Sequence, residues 1–321
     1  MELKGLHHIT AVTGDLQRNL DFYIGTLGLR LAKRTVIQEE PSTYHLFYGD
    51  AVGSVGTGVT FFDWPQVGHD RPGSRNIART LLSVADDAAI RWWADRFDTL
   101  SVPYTLQADY EARQTLHFTD PDGLRLGLVA AGRFADYQHW ADSTVPPANA
   151  IQALHSTTLD VADIDATGRF LSDIFGYRIV KSFQASEDFE GKGVALTLGD
   201  GGVGKELTVL QRTDPVSGFR GIGSIHHAAL TIAPEDSLED WHERLAATGM
   251  KITEIIRRYY FDSVYVRIPG GTLFELATEG PGLTIDDDVN TLGQRLTLPP
   301  FLEGQRAEIE AHLKPLSIPE V

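Results

Sequence analysis

The sequence contains no cysteine, which removes a set of chemistries at once. Disulfide frameworks, zinc fingers with thiolate ligands and thiol nucleophiles are all excluded. No stretch of the chain approaches about 18 consecutive apolar residues, so a transmembrane helix is not expected. The N-terminus also lacks a basic region followed by an apolar stretch, which is the pattern of a secretory signal. Together these absences predict a cytoplasmic protein.

Basic residues are scarce relative to acidic ones. The 321 residues include 28 Lys and Arg against 44 Asp and Glu, a net charge of -16. A surface this negative repels phosphate backbones and anionic lipids, so nucleic-acid and membrane partners are not expected. The hydrophobic content of 42% is typical of a globular chain, and the length allows two domains with buried cores.

One pattern of strand, helix and strand recurs four times along the chain. In its clearest copy, residues 5–33, LHHITAV predicts a strand, Asp15 to Thr26 a helix, and a second strand follows Gly28. The other copies lie at residues 77–107, 154–182 and 225–256. A polar hairpin and a last apolar strand follow each copy. The repeat predicts an α+β fold of four βαβββ modules that form two open barrel-like halves.

The predicted modules follow one another along the chain with one connector and one tail. The boundaries are residues 1–65 for module 1, 74–132 for module 2, 133–150 for the connector, 151–213 for module 3, 222–280 for module 4 and 281–321 for the C-terminal tail. The connector contains Pro146-Pro147, a sign of irregular structure. The tail is expected to end in a surface helix over residues 303–313.

The four copies can be aligned through their first and last strands. In the first strands, the shared position is held by His8, Arg79, Ser156 and His227. In the last strands, it is held by Thr60, Gly127, Thr208 and Glu275. The spacing is equal within the two halves and longer between them, which fits two tandem pairs.

Two histidines and one glutamate at these aligned positions predict a metal site. A strand alternates its faces, so His8 and Thr10 point one way and His7 the other. Glu275 is a carboxylate inside the apolar strand GGTLFELAT, and a buried charge needs a partner. Two imidazoles and one carboxylate leave three positions open on an octahedral cation, as in non-haem Fe(II) oxygenases. His8, His227 and Glu275 are therefore the predicted ligands.

The same alignment predicts which modules face each other. Modules 2 and 3 carry Arg79 and Ser156 where the other two carry histidine. The metal barrel is therefore expected to combine modules 1 and 4, the two ends of the chain. Modules 2 and 3 would form a metal-free companion barrel with a structural role.

A second polar cluster lies on the segment before Glu275, RRYYFDSVYVRIPGG (residues 257–271). A two-residue turn at Asp262-Ser263 would place four side chains on one face, namely Arg258, Tyr260, Tyr265 and Arg267. An arginine and a phenol beside a metal can bind and polarise a substrate oxyanion. The same spacing fits an exposed hairpin with ordinary surface arginines, and the sequence does not separate the two.

The remaining histidines carry weaker signals. His45, in TYHLFYGD, fits either the edge of a pocket or core packing. His117 occupies the module 2 position that corresponds to Tyr265, and His155 matches His7 without a ligand beside it. A structural role is the expected one for His117 and His155.

The chain resembles the glyoxalase/bleomycin-resistance/extradiol dioxygenase superfamily, also called vicinal oxygen chelate proteins. More narrowly, it looks like the ring-cleaving dioxygenases of the hydroquinone dioxygenase group. The residues that carry the resemblance are GLHHITAVTGDLQRNLDFYIGTLGLRL, TYHLFYGD, SIHHAALTI, the stretch from Arg258 to Tyr265, PGGTLFELAT and LTLPPFLEGQRAEIEAHL. One departure is Tyr259-Tyr260-Phe261, where relatives often have a single tyrosine before the phenylalanine.

The resemblance implies a role for each matched residue. His8, His227 and Glu275 would bind Fe(II), although nothing in the residues distinguishes Fe(II) from Mn(II). His7 and His226 would lie beside the ligands, and one of them would move the substrate's proton. The residues near the substrate would be Thr10, Arg258 and Tyr265. The implied reaction is ring cleavage of a small aromatic diol, hydroquinone or catechol in type, with O2, and a homodimer is compatible with the superfamily.

Two other functions compete with this one. A glyoxalase-type isomerase or lyase would use Zn(II) or Ni(II), and it generally wants a second carboxylate where this chain has Thr60. A metal-free protein that binds small molecules, of the drug-resistance kind, needs no ligand triad. The presence of His8, His227 and Glu275 argues against that second alternative.

Overall fold

The computed structural model of the chain describes residues 1–185, 190–213 and 216–319. The strands and helices recur four times in the predicted order, and the predicted α+β class is confirmed. Within these ranges no helix is both long and apolar enough to span a membrane.

The first two repeats have similar strands and different helices. The elements of the first are β1 Leu3–Thr13, α1 Leu16–Leu20, a π-helical turn Asp21–Thr26, β2 Arg30–Ile37, β3 Glu40–Gly49 and β4 Gly58–Asp63. Those of the second are β5 Asn76–Val84, α2 Asp87–Leu100, β6 Tyr104–Ala108, β7 Gln114–Thr119 and β8 Arg125–Ala130. A 3-10 turn, Pro147–Asn149, then leads into the third repeat.

The last two repeats follow the same plan, with an irregular hairpin in the fourth. The third comprises β9 Ala153–Asp160, α3 Ile164–Asp173, β10 Arg178–Ala185, β11 Gly191–Thr197 and β12 Glu206–Arg212. The fourth comprises β13 Ile225–Ile232, α4 Leu238–Ala246, β14 Lys251–Ile252, β15 Ile256–Arg257, β16 Phe261–Arg267 and β17 Leu273–Pro281. The C-terminal segment contains two 3-10 turns, Val289–Thr291 and Glu303–Gln305, and α5 Arg306–His312.

The strands form two curled sheets, each built from two repeats. One has the order β14-β16-β17-β13-β1-β4-β3-β2, with β15 on β16, and the other has the order β10-β11-β12-β9-β5-β8-β7-β6. The central strands of each sheet come from different repeats, since β1 lies antiparallel to β13 and β5 to β9. Side chains that are far apart in the sequence therefore meet on one concave face.

The helices begin where the sequence offers a capping side chain. Asp15, Asp86, Asp163 and Ser237 each accept a hydrogen bond from a backbone N–H three residues later. Each of these helices then buries an apolar stripe against its sheet. The helices cover the outer faces, which leaves the concave faces for polar side chains.

The first helix is shorter than predicted. The pattern from Asp15 to Thr26 predicts one α-helix, but the α-helix ends at Leu20 and a wider π-helical turn covers Asp21–Thr26. The wider turn allows three consecutive side chains, Phe22, Tyr23 and Ile24, to be buried together. A strict 3.6-residue period would turn one of them toward solvent.

The predicted turn at Asp262-Ser263 is wrong. Both residues lie inside β16, where Asp262 pairs with Arg257 and Ser263 with Ile256. The chain reverses about three residues earlier, through Arg258–Tyr260. The backbone N–H of Asp262 donates to the Thr278 hydroxyl, and Arg257 donates to the Asp262 carboxylate, which holds Asp262 in the strand. The predicted cross-strand pairs of Tyr260 with Tyr265 and of Arg258 with Arg267 are therefore absent, although Tyr260 still lines the same small space as Arg258 and Tyr265. The Tyr260 hydroxyl donates to Asp286, and Arg267 donates to the Gly271 carbonyl.

A buried lysine fastens the C-terminal segment to the first sheet. The Nζ of Lys33, on β2, lies 2.7 Å from Asp286 Oδ1 and 2.9 Å from Asp287 Oδ2, and its side chain is fully buried. Asp287 also accepts hydrogen bonds from Arg295 and Thr297. Removing one partner of a buried ion pair leaves an uncompensated charge, so this contact should stabilise the fold.

We predict that Lys33→Met lowers the free energy of unfolding by about 3–5 kcal/mol, because it removes the buried cation and leaves Asp287 with only the exposed Arg295 as a charge partner. Urea denaturation checks this. Lys4→Met removes an exposed lysine that pairs with Glu2, and it should cost at most about 1 kcal/mol. Equal effects of the two substitutions would contradict the structural role given to Lys33.

Candidate metal centre

Three side chains from neighbouring strands converge on the concave face of the first sheet. The Nε2 atoms of His8 and His227 lie 3.1 Å and 3.0 Å from Glu275 Oε2, and all three side chains are buried. Sheet register explains the meeting, since Ala229 is paired with His8 on one side and with Glu275 on the other. Among the described residues these three form a group that could hold a metal ion, with ligand atoms within 4.8 Å of one another.

The side-chain atoms of His8, His227 and Glu275 are arranged as ligands of a cation and not as hydrogen-bond partners of one another. The contacts of Glu275 with the imidazoles are as short as hydrogen bonds, yet His227 Nε2 and both carboxylate oxygens of Glu275 have no hydrogen-bond partner. Leaving such atoms buried and unpaired is costly. Ligand bonds of about 2.1 Å at right angles would separate neighbouring donors by about 3 Å, which agrees with the observed contacts.

The first histidine of each doublet is the extra residue of a β-bulge. The pairing of β1 with β13 skips His7 on one strand and His226 on the other. Simple alternation would turn His7 away from the pocket, but a bulge re-aims the side chain that it carries. Each first histidine therefore lies next to the second, with Nδ1–Nδ1 distances of 2.9 Å for His7 and His8 and 2.8 Å for His226 and His227.

The contacts of His7 set the tautomer of His8. His7 Nε2 lies 3.2 Å from the Thr278 carbonyl oxygen, which only accepts, so this nitrogen carries the proton. Burial and the adjacent His8 lower the pKa of His7 to about 3, so the ring is neutral and its Nδ1 is an acceptor. His8 must then donate from Nδ1, which leaves a lone pair on Nε2 directed at the triad.

The other titratable groups of the centre also favour neutral imidazoles and an ionised carboxylate. Burial and His227 lower the pKa of His226 to about 3. Burial alone would raise the pKa of Glu275, but the imidazoles of His8 and His227 hold it well below its usual range. Metal ligands must be neutral imidazoles and carboxylates, so these directions suit metal binding.

Thr10 lies beside the triad and belongs to a short chain of hydrogen bonds. Its hydroxyl is 2.8 Å from that of Thr60, which lies 3.0 Å from His45 Nε2. His45 shares a small space with His8 and His227, and burial keeps its pKa well below the usual value. Of the two interpretations of His45, the pocket edge is the one that the structure supports.

Arg258 and Tyr265 face the same small space as the two ligand histidines. Arg258 Nη1 donates to both carboxylate oxygens of Glu39, at 2.8 Å and 2.6 Å, which fixes the guanidinium. Burial, followed by the nearby Glu275, raises the pKa of the Tyr265 hydroxyl well above its usual value. Tyr265 therefore keeps its proton and can donate it in a hydrogen bond.

An apolar cavity of about 350 Å³ adjoins the centre. His7 and His8 form its polar end, and Phe47, Phe261 and Leu283 are among its walls. Its volume lies within the range of small-molecule sites and suits one aromatic ring. Phe261 also packs on both imidazoles, with ring centroids 5.1 Å from His7 and 5.4 Å from His8.

Sequence patterns alone did not single out several residues of this site. Phe261 and Leu283 look like ordinary core residues, and Glu39 looks like a surface carboxylate. The acceptor at Thr278 is a backbone carbonyl, which leaves no mark in the sequence. The bulges could have been suspected only from the doublets, because a second polar residue in an apolar strand needs a reason to be there.

Comparisons with known proteins identify relatives over nearly the whole chain. MhqA of Bacillus subtilis, provisionally named a ring-cleaving dioxygenase, is 38% identical over 98% of this chain and 100% of its own length. A chlorohydroquinone/hydroquinone 1,2-dioxygenase of Sphingobium indicum is 29% identical over 96% of this chain and 95% of its own. A crystal structure from Bacillus subtilis, also provisionally named a dioxygenase, superposes with a TM-score of 0.87 at 33% identity and covers 100% of this chain and 99% of its own.

The sequence profile of one superfamily matches both halves of the chain, at residues 5–128 and 153–276. The two matched ranges contain the two doubled histidines and Glu275. The profile match, the relatives and the fold all agree. The chain belongs to the Glyoxalase/Bleomycin resistance protein/Dioxygenase superfamily.

Proposed function

We propose that this protein is an Fe(II)-dependent dioxygenase that cleaves the ring of a hydroquinone- or catechol-type diol with O2. The observation that carries the proposal is the convergence of His8, His227 and Glu275 beside an apolar cavity of about 350 Å³. Two histidines and one carboxylate leave positions for both a diol oxygen and O2. The names of the relatives support the same reaction class.

His8, His227 and Glu275 would hold the metal, with His7 and His226 orienting the two imidazoles. Bound Fe(II) would lower the pKa of a ligating diol hydroxyl and exchange electrons with O2. The resemblance suggested that one doublet histidine moves the substrate's proton. We favour a positioning role for His7 and His226, because the Nδ1 atom of each is already hydrogen-bonded to the Nδ1 atom of the next histidine.

The substrate oxygen would be bound by Arg258 and Tyr265. The guanidinium charge favours the deprotonated hydroxyl, and the phenol of Tyr265, kept protonated by its raised pKa, donates a hydrogen bond to it. Phe47 and Phe261, which line both the apolar cavity and the small space of Arg258 and Tyr265, would hold the ring and exclude water. Thr10 lies on the same face, where its hydroxyl is already bonded to Thr60.

Thr60 argues against the glyoxalase alternative. It lies where that class would need a second carboxylate, and its hydroxyl is bonded to Thr10 and His45.

Anaerobic reconstitution with Fe(II), followed by O2 uptake with a panel of catechols and hydroquinones, tests the proposed dioxygenase function. We expect uptake with at least one diol. No O2 uptake with any diol, together with activity on a hemithioacetal in the presence of Ni(II), would contradict the dioxygenase proposal.

We predict that His8→Ala, His227→Ala and Glu275→Ala each abolish stoichiometric iron binding, since each removes one of three ligands. Metal analysis after anaerobic loading measures this. His242→Ala, on α4 outside the centre, is the control and should keep full iron content. Iron retained at one equivalent in any of the three variants refutes that ligand.

His7→Ala and His226→Ala should behave differently. Because they orient ligands and bind no metal themselves, iron should remain bound while its affinity or the turnover rate falls by about 10–100-fold. The pH profile of the residual activity should keep its shape, since neither group titrates near neutral pH. A profile that loses one limb would instead make the histidine the proton carrier.

Tyr265→Phe should lower kcat by about 10²–10³-fold with iron retained, because it deletes one hydrogen-bond donor to the substrate oxygen. Steady-state O2 uptake and iron content measure the two effects separately. Tyr259→Phe, in the same segment, is the matched control and should leave kcat within about twofold. Loss of iron in Tyr265→Phe, or an unchanged kcat, would remove this role.

A further inference from the structure

A second cavity lies in the half of the molecule where the described residues include no group that could hold a metal ion. It occupies the concave face of the second sheet and has a volume of about 650 Å³, against about 350 Å³ beside His8. Both volumes lie within the range of sites that bind small molecules. The sequence predicts only a structural role for this half. A purely structural barrel does not need a cavity of this size.

The cavity is the counterpart of the metal centre in sheet register. Arg79 pairs with Thr158 across β5 and β9, as His8 pairs with Ala229 across β1 and β13. Thr158 pairs in turn with Thr208, as Ala229 pairs with Glu275. The guanidinium of Arg79 therefore occupies the position of a ligand histidine, and Thr208 that of the carboxylate.

The charge of the lining is reversed relative to the protein as a whole. Among the described lining residues there are five cationic side chains, Arg79, Arg113, Arg125, Lys181 and Arg212, and one carboxylate, Asp109. The whole chain carries a net charge of -16. Arg79 and Arg125 lie side by side, one position before the paired residues Thr80 and Leu126. Asp70 Oδ2 lies 3.4 Å from Arg125 Nη2 and offsets part of this charge.

Rigid contacts hold several of these cations in place. Arg113 bonds Glu206 at 2.7 Å and 3.0 Å, and Arg212 Nε bonds Asp160 at 2.6 Å. Arg125 Nε bonds the Ala78 carbonyl at 2.9 Å. Groups that are fixed before a ligand arrives lose little entropy on binding it.

The cavity also offers a surface for a flat apolar group. The rings of Tyr110 and Phe183 are nearly parallel, with an interplanar angle of 8° and centroids 6.4 Å apart, and both line the cavity. Leu81 and Leu210 add apolar surface. A ligand that uses the whole lining needs an anionic group at one end and a planar apolar body at the other.

We propose that this cavity is a binding site for a small aromatic carboxylate. Arg79 would pair with the carboxylate through its two-pronged guanidinium, Lys181 would add charge, and the ring would lie against Tyr110 and Phe183. The site is separate from the metal centre and does not depend on the proposed dioxygenase reaction.

Calorimetric titration of the metal-free full-length protein with benzoate tests the proposal. We expect a dissociation constant of about 1 mM or tighter, and at least about tenfold weaker binding of benzamide, which has the same shape without the charge. Arg79→Gln should weaken benzoate binding by about tenfold or more. Arg178→Gln, on the exposed side of β10, is the matched control and should bind as the parent does.

A second pair of variants separates this site from the metal centre and from a folding defect. Lys181→Gln alters an exposed side chain, so this variant should fold even if Arg79→Gln does not. We expect it to weaken the binding of benzoate by about twofold to fivefold. His8→Ala combined with His227→Ala should leave benzoate binding intact. The proposal is overturned if benzamide binds as well as benzoate, if neither cation variant weakens binding, or if the histidine variant abolishes it.

Discussion

The structure depends on one buried carboxylate. Glu275 lies on β17, next to the central strand β13, and its side chain is fully buried. Two imidazoles contact one of its carboxylate oxygens, and neither oxygen has a hydrogen-bond partner. A carboxylate in this position needs a compensating positive charge, and a cation would supply it once both imidazoles are neutral, as metal ligands must be. A bound cation would satisfy the three converging donors at once.

The tandem repeat places this carboxylate where the cation can be bound. Each sheet takes its two central first strands from different modules, and β-bulges at His7 and His226 turn both doublets toward the same face. The second sheet has the same backbone plan with arginine at the corresponding position. A candidate metal centre and a cationic cavity thus differ by a few side chains on one scaffold.

Much of this arrangement could be predicted from particular residues. Periodicity and the alignment of His8 with His227 pointed to the repeated modules, and Glu275 stood out as a charge in an apolar strand. The α+β class predicted from the repeat is confirmed. The prediction of a turn at Asp262-Ser263 was wrong, because the spacing of residues along the sequence does not reveal the hydrogen bonds that hold Asp262 in a strand. Nor could spacing reveal the carbonyl of Thr278 or the Lys33 ion pairs, which depend on chain segments far apart in the sequence.

The central claim is that His8, His227 and Glu275 form one iron site. Crystals grown anaerobically with Fe(II), with diffraction data collected on both sides of the iron absorption edge, test it most directly. The account predicts one anomalous peak per chain, about 2.0–2.2 Å from both histidine Nε2 atoms and from a Glu275 oxygen. An iron peak elsewhere, or no peak at these atoms in fully loaded protein, would contradict it.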